Sequence, residues 1–146
     1  MDDDHRPETL RALEHELTAL LRRGRALSME IAREVHPNLE PNAYGLLLWV
    51  RRSGPIRLTD LATLLGIGKG TLSRQIQGLE VLGLVRRDPD PADRRAAQLC
   101  LTEEGTRRFD AARTARMEQM RRSMENWPKR DVEDFARLMH RFNETF

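Results

Sequence analysis

Leu10, Leu13, Leu17, Leu20, Leu27 and Ile31 recur at intervals of three and four, apart from one longer step that Gly24 bridges on the same face. Val35 closes the stripe. That period predicts one amphipathic helix over roughly residues 8–35. His36 and Pro37 end it, because the residue before a proline avoids the helical region. A linker follows to Pro41. A second helix is expected over about 41–53, with Pro41 in its first turn and Gly54 and Pro55 closing it. Thr59 then reads as the N-cap of a short helix from Asp60 to Leu65. Gly66, Ile67 and Gly68 form a tight turn, with Gly66 suited to the left-handed position after a helix. Leu72, Ile76, Leu79 and Leu82 give the apolar stripe of the next helix, about 69–82, which Gly83 ends.

From there the period changes. Leu84 to Arg87 reads as a strand, Asp88 to Asp93 as turn material, and Ala96 to Leu101 as a second strand with Leu99 and Leu101 on one face. Thr102 caps a long helix over about 103–125, with Glu103 and Glu104 favourable in its first turn. Phe109, Ala112, Met117, Met120 and Met124 mark its apolar positions. Pro128 fits the first position of a last helix bearing Val132, Phe135, Met139, Phe142 and Phe146. The chain is therefore mainly α with a small β-hairpin. Helix, three-residue turn, helix and hairpin together describe a winged helix-turn-helix. The parts are an N-terminal dimerisation helix (1–36), a winged lobe (37–101) and C-terminal dimerisation helices (102–146). The stripes of the first and last segments lie far from the winged core in sequence. Leu10, Leu13, Leu17, Met120, Phe135, Met139, Phe142 and Phe146 are the expected contacts between two copies.

Charge sharpens this picture. The 146 residues carry a formal net charge of only +2. Residues 51–101, however, hold nine Lys/Arg against five Asp/Glu, while residues 1–50 hold six against nine. A local positive field in the middle third suits a polyanion. The expected recognition helix presents Lys69, Thr71, Ser73, Arg74, Gln75 and Gln77 outward, with no acid before Glu80. Arg bridges guanine, Gln bridges adenine, and short hydroxyls reach phosphates or base edges. Arg94 and Arg95 lie at the hairpin tip, where Arg is favoured in a narrow minor groove, and Arg86 adds charge on the opposite strand. Asp93 is placed to pair with Arg95 and shape the loop. Double-stranded DNA is thus the expected partner. The alternative from another class is a winged-helix module that docks a protein; an acidic recognition helix would favour it, and this one is polar to basic.

Other classes find little support. Four histidines, at 5, 15, 36 and 140, show no helical metal motif; Pro37 separates His36 from Glu40. Gly66, Gly68 and Gly70 lack the strand context and Lys-Ser/Thr spacing of a phosphate loop. No catalysis, metal or cofactor is expected. No apolar run approaches a membrane span, no secretory signal is evident, and one cysteine, Cys100, cannot form an internal disulfide. A reducing, cytoplasmic setting is expected.

Leu58-Thr59-Asp60-Leu61-Ala62, Gly83-Leu84-Val85, Asp93-Arg94-Arg95 and Leu101-Thr102-Glu103-Glu104-Gly105 together resemble the MarR family of bacterial transcriptional regulators. The family's Asp-x-Arg and Leu-Thr-x-x-Gly signatures are matched by Asp93 and Arg95, and by Leu101, Thr102 and Gly105. Its usual Ser-x-Ser-Thr at the recognition helix reads Gly68-Lys69-Gly70-Thr71 here, so two hydroxyls are absent. The resemblance implies a homodimer, most often a repressor, joined through the first, fifth and sixth helices on a pseudo-palindromic operator. It also implies release by a small aromatic or anionic ligand between the dimer helices and the lobe. Met29, His36, Tyr44, Trp49 and Arg51 are the candidate ligand contacts. Family members that sense oxidants use a cysteine on the first helix, which this chain lacks; no redox role is expected of Cys100.

Overall fold

The computed structural model describes residues 6–145, so Phe146 lies outside the described residues. Among the described residues six helices and three short strands follow one another: α1 Arg6–Val35, α2 Ala43–Ser53, β1 Ile56–Arg57, α3 Leu58–Leu65, α4 Lys69–Val81, β2 Val85–Pro89, β3 Ala97–Leu101, α5 Glu103–Ser123 and α6 Lys129–Asn143. The chain divides into two compact units, one running to Ala112 and the other from Arg113, so the division falls within α5.

The first unit contains the winged lobe and its core. Ile31 and Val35 of α1, Leu47 and Val50 of α2, Leu61 of α3, Leu72, Ile76 and Leu79 of α4, and Phe109 of α5 are all buried together. Tyr44 stacks on Phe109, with ring centroids 5.3 Å apart. Only the last turns of α1 reach this core; Leu10, Leu13 and Leu20 are exposed. Between α3 and α4 the chain turns at Gly66, whose φ of 64° is left-handed and disfavours any Cβ. The amide of Ile67 donates to the Ala62 carbonyl at 3.1 Å and closes the turn.

The sheet has the order β1-β3-β2 and is antiparallel throughout. Val85 opposes Leu101 and Arg87 opposes Leu99, while Ile56 pairs with Leu99 from the other side. The third strand, β1, is absent from the sequence expectation. Two residues are too few to show alternation, and their extended form comes from pairing with β3. It also displaces a cap. Arg57, extended at φ −66° and ψ 144°, is the N-cap of α3, and Thr59 sits inside the first turn, where its carbonyl accepts the Thr63 hydroxyl at 3.1 Å. Helix α2 starts at Ala43 and not at 41, because Pro41 and Asn42 form a turn in which the Ala43 amide donates to the Glu40 carbonyl at 2.9 Å. Pro128 is likewise the N-cap of α6 and not its first residue.

The start of α5 explains the Leu-Thr-x-x-Gly signature. The Thr102 hydroxyl accepts the Gly105 amide at 2.9 Å, as an N-cap should, and donates to the Gly83 carbonyl at 2.6 Å. The Thr102 amide donates to the Leu84 carbonyl at 3.0 Å. A Cβ on Gly105 would stand 2.0 Å from that same carbonyl oxygen. Only glycine lets α5 approach the root of the wing this closely.

The second unit holds the rest of α5 and α6. Trp127 meets Phe135 edge to face at 6.1 Å. Helix α6 has no buried residue, although its apolar side chains share one face.

Candidate nucleic-acid interface

The N-cap of α4 is Gly68, which has no side chain to cap the helix; the Leu72 amide closes the first turn on the Gly68 carbonyl at 3.0 Å. The missing hydroxyls leave the first-turn amides without a side-chain acceptor. Leu72, Ile76 and Leu79 point into the core. The remaining positions follow by geometry: Lys69, Thr71, Arg74, Gln75 and Gln77 are exposed and Ser73 is half-buried. The structure thus gathers the six predicted side chains of this helix on its outward surface. Arg74 makes no ion pair or hydrogen bond among the described residues.

The wing loop is a closed hydrogen-bonded unit. The Asp90 amide donates to the Ala96 carbonyl at 3.0 Å and the Ala96 amide donates to the Asp93 carbonyl at 3.0 Å. Asp93 accepts the Arg95 backbone amide at 3.0 Å, an Asx turn. Its carboxylate therefore shapes the loop through the main chain, and the expected Asp93–Arg95 side-chain pair is not formed. Arg94 and Arg95 are exposed at the tip, with no acid paired to either among the described residues. The arginines of β2 differ. Arg86 Nε donates to both carboxylate oxygens of Asp88, at 3.0 and 2.9 Å, and Arg87 Nε donates to Glu80 at 2.9 Å. Arg86, a predicted DNA contact, has its charge met internally.

Two residues that sequence reasoning missed hold the wing in place. Asp90 is only 4% exposed, yet it is charged. It accepts Arg57 Nε at 2.5 Å and the Ala92 amide at 2.8 Å. The Arg57 guanidinium, and then the Ala92 amide, hold its carboxyl below the usual carboxylate range. The pair fastens β1 to the entry of the wing loop. The two residues are 33 positions apart, and no local spacing signals the contact.

The other predicted positions scatter. Tyr44 belongs to the core. His36 Nδ1 accepts the Asn38 amide at 3.1 Å. Arg51 is paired with Asp110 at 3.2 Å, joining α2 to α5. Met29 and Trp49 are exposed. None of the five lines the cavity found beside α4. Burial pushes the Cys100 thiol up, away from the thiolate that oxidation requires. Of the predicted interface positions, Leu10, Leu13, Met120 and Phe135 are exposed and Leu17, Met139 and Phe142 are half-buried. Among the described residues no helix is long and apolar enough to cross a membrane, and no group of three or more His, Cys, Asp or Glu could hold a metal.

Comparison with known proteins agrees with this architecture. The MarR family profile matches residues 38–96, from the linker before α2 to the wing. The uncharacterised HTH-type transcriptional regulator YxaD of Bacillus subtilis (strain 168) is 32% identical over 134 residues, covering 92% of each chain. Among solved structures, the MarR family transcription regulator SP03579 superposes with a TM-score of 0.83 at 18% identity, covering 97% of this chain and 93% of that one. RV1404 from Mycobacterium tuberculosis does so with a TM-score of 0.73 at 26% identity, covering 91% and 92%. With a relative of that identity along nearly its whole length, and with the winged lobe in place, the chain belongs to the MarR family of DNA-binding, HTH-type transcriptional regulators.

Proposed function

We propose that the protein is a homodimeric repressor in the cytoplasm that reads a pseudo-palindromic operator and acts by binding, without catalysis. In each half-site α4 lies in the major groove, where Arg74 and Gln77 address base edges and Lys69, Thr71, Ser73 and Gln75 address edges or phosphates. Arg94 and Arg95 of the wing tip reach the flanking minor groove. A small ligand releases the operator by changing the spacing of the two lobes.

The observation that carries the dimer is α6. Its apolar residues share one face, and not one of its side chains is buried; Phe135 is 44% exposed. Leu10, Leu13 and Leu20 on α1 and Met117 and Met120 on α5 are exposed as well. Exposed apolar stripes of this kind mark interaction surfaces, and a second copy supplies matching ones by symmetry. Phe142→Asp places a carboxylate in that face, which is costly unless paired. The expected result is a monomer by sedimentation with operator affinity reduced to the non-specific level, although α4 and the wing are untouched. A dimer with full affinity would refute the assignment.

A further inference from the structure

The chain carries 25 lysines and arginines, and all but Lys69 and Lys129 are arginine. Lys129 lies on α6, where its ammonium is engaged by Glu133 at 3.5 Å. Lys69 is the first residue of α4 and opens the helix proposed to enter the major groove. It is exposed, and its side chain forms no ion pair or hydrogen bond among the described residues. Gly68 and Gly70 flank it, and a Cβ built on either would meet nothing within 4 Å. The backbone on both sides of the amine is open to an approaching reagent.

A guanidinium keeps its proton in proteins and is a poor nucleophile, whereas a lysine amine can be acylated. Residues 51–101 hold nine Lys/Arg, and eight of these are arginine. Lys69 is therefore the one side chain of that segment whose positive charge an acyl group can remove.

We infer that Lys69 is a regulatory acylation site, with an acyl phosphate as donor, and that its modification switches DNA binding off. The donor is a small anion, which the positive field of the middle third draws in. Lys69 Nζ releases one proton to water and attacks the acyl carbonyl carbon. A C–N bond forms and the C–O bond to phosphate breaks. Phosphate leaves with the electron pair and takes the second proton shed by nitrogen. The product is a neutral amide, and the charge is gone. A dimer loses two such charges, so the slope of log affinity against log salt falls by about 1.8. The loss of DNA binding rests on the proposed reading of DNA by α4; the chemistry at Nζ does not.

The probe is acetyl phosphate, applied to the full-length protein. Mass spectrometry locates the acetyl groups, and fluorescence anisotropy reads binding to a labelled duplex selected from random sequence by the unaltered protein. We expect acetylation of Lys69 ahead of Lys129, protection of Lys69 when duplex is bound first, and affinity lowered about tenfold or more at low salt. The loss should track the fraction acetylated at Lys69. Lys69→Arg keeps the charge, so it should bind the duplex and lose nothing on treatment, while Lys129→Arg stays as sensitive as the unaltered protein. Lys69 left unmodified or modified after Lys129, a loss that does not track its acetylation, or an equal loss in treated Lys69→Arg overturns the switch. Untreated Lys69→Met separates the two claims. If it binds as tightly as the unaltered protein, the reading of DNA through Lys69 fails, and the switch with it. If it binds weakly while acetyl phosphate leaves Lys69 of the unaltered protein unmodified, that reading stands and the switch alone fails.

Discussion

Whether an arginine of the wing contributes to DNA binding depends on whether its charge is already met, and this separates Arg95 from Arg86. Arg95 is exposed, its backbone amide is fixed by Asp93 at 3.0 Å, and its guanidinium has no acid partner among the described residues. Arg86 is bound to both oxygens of Asp88. Each phosphate neutralised contributes about 0.9 to the slope of log affinity against log salt. A dimer presents two copies of Arg95, so Arg95→Ala should reduce the slope by about 1.8. Between about 50 and about 200 mM salt, this makes the loss of affinity about tenfold greater at the lower salt. The charge-neutral double variant Arg86→Ala, Asp88→Ala should leave the slope unchanged. Fluorescence anisotropy with a labelled operator duplex, titrated at several salt concentrations, reads both. An unchanged slope in Arg95→Ala, or the same decrease in the double variant, would refute the distinction.

Three further outcomes follow from the same geometry. Gly105→Ala must move the Leu84 carbonyl from 2.0 Å toward an ordinary contact and loosen the bond it accepts from the Thr102 amide; overpacking and a weakened hydrogen bond together cost about 3 kcal/mol, lowering Tm by roughly 6–12 °C at fixed chain concentration, and a Tm within about 2 °C of the unaltered protein would contradict the contact. Asp90→Asn should speed hydrogen exchange at the Ala92 amide and weaken operator binding severalfold while the α3–α4 core keeps its protection; unchanged exchange at Ala92 would show that the Arg57–Asp90 pair does not hold the wing. Hydrogen bonds from Arg107 and then Arg108 lower the Glu104 carboxyl from 4.5 to about 2, so its contribution to stability is complete above pH 4.5 and is lost as pH falls toward 2, and a carboxyl-carbon titration with a midpoint near 4.5 would contradict this.

Most of the fold was legible because its helices are long enough for the period to show and are bounded by strong breakers. His36 and Pro37, Gly66, Gly83 and Thr102 all act where their chemistry places them. What escaped was non-local. Strand β1 exists because Ile56 finds Leu99, and its formation moves the cap of α3 from Thr59 to Arg57. The outward face of α4 was readable because it is the complement of an apolar stripe. That Arg86 and Arg87 are paired while Arg94 and Arg95 are not depends on where the hairpin sets Asp88 and Glu80, and charge counting treats all four alike. The Arg57–Asp90 anchor needs the three-dimensional chain, because its two residues are 33 positions apart.

The central claim is that two copies of this chain read two related half-sites. Hydroxyl-radical footprinting tests it on a duplex selected from random sequence by the full-length protein, with sedimentation giving the number of chains bound. The account predicts two inverted half-sites with centres about one helical turn, ~10 bp, apart, or a multiple of it, and two chains per duplex. A single unrepeated half-site protected by one chain would contradict it.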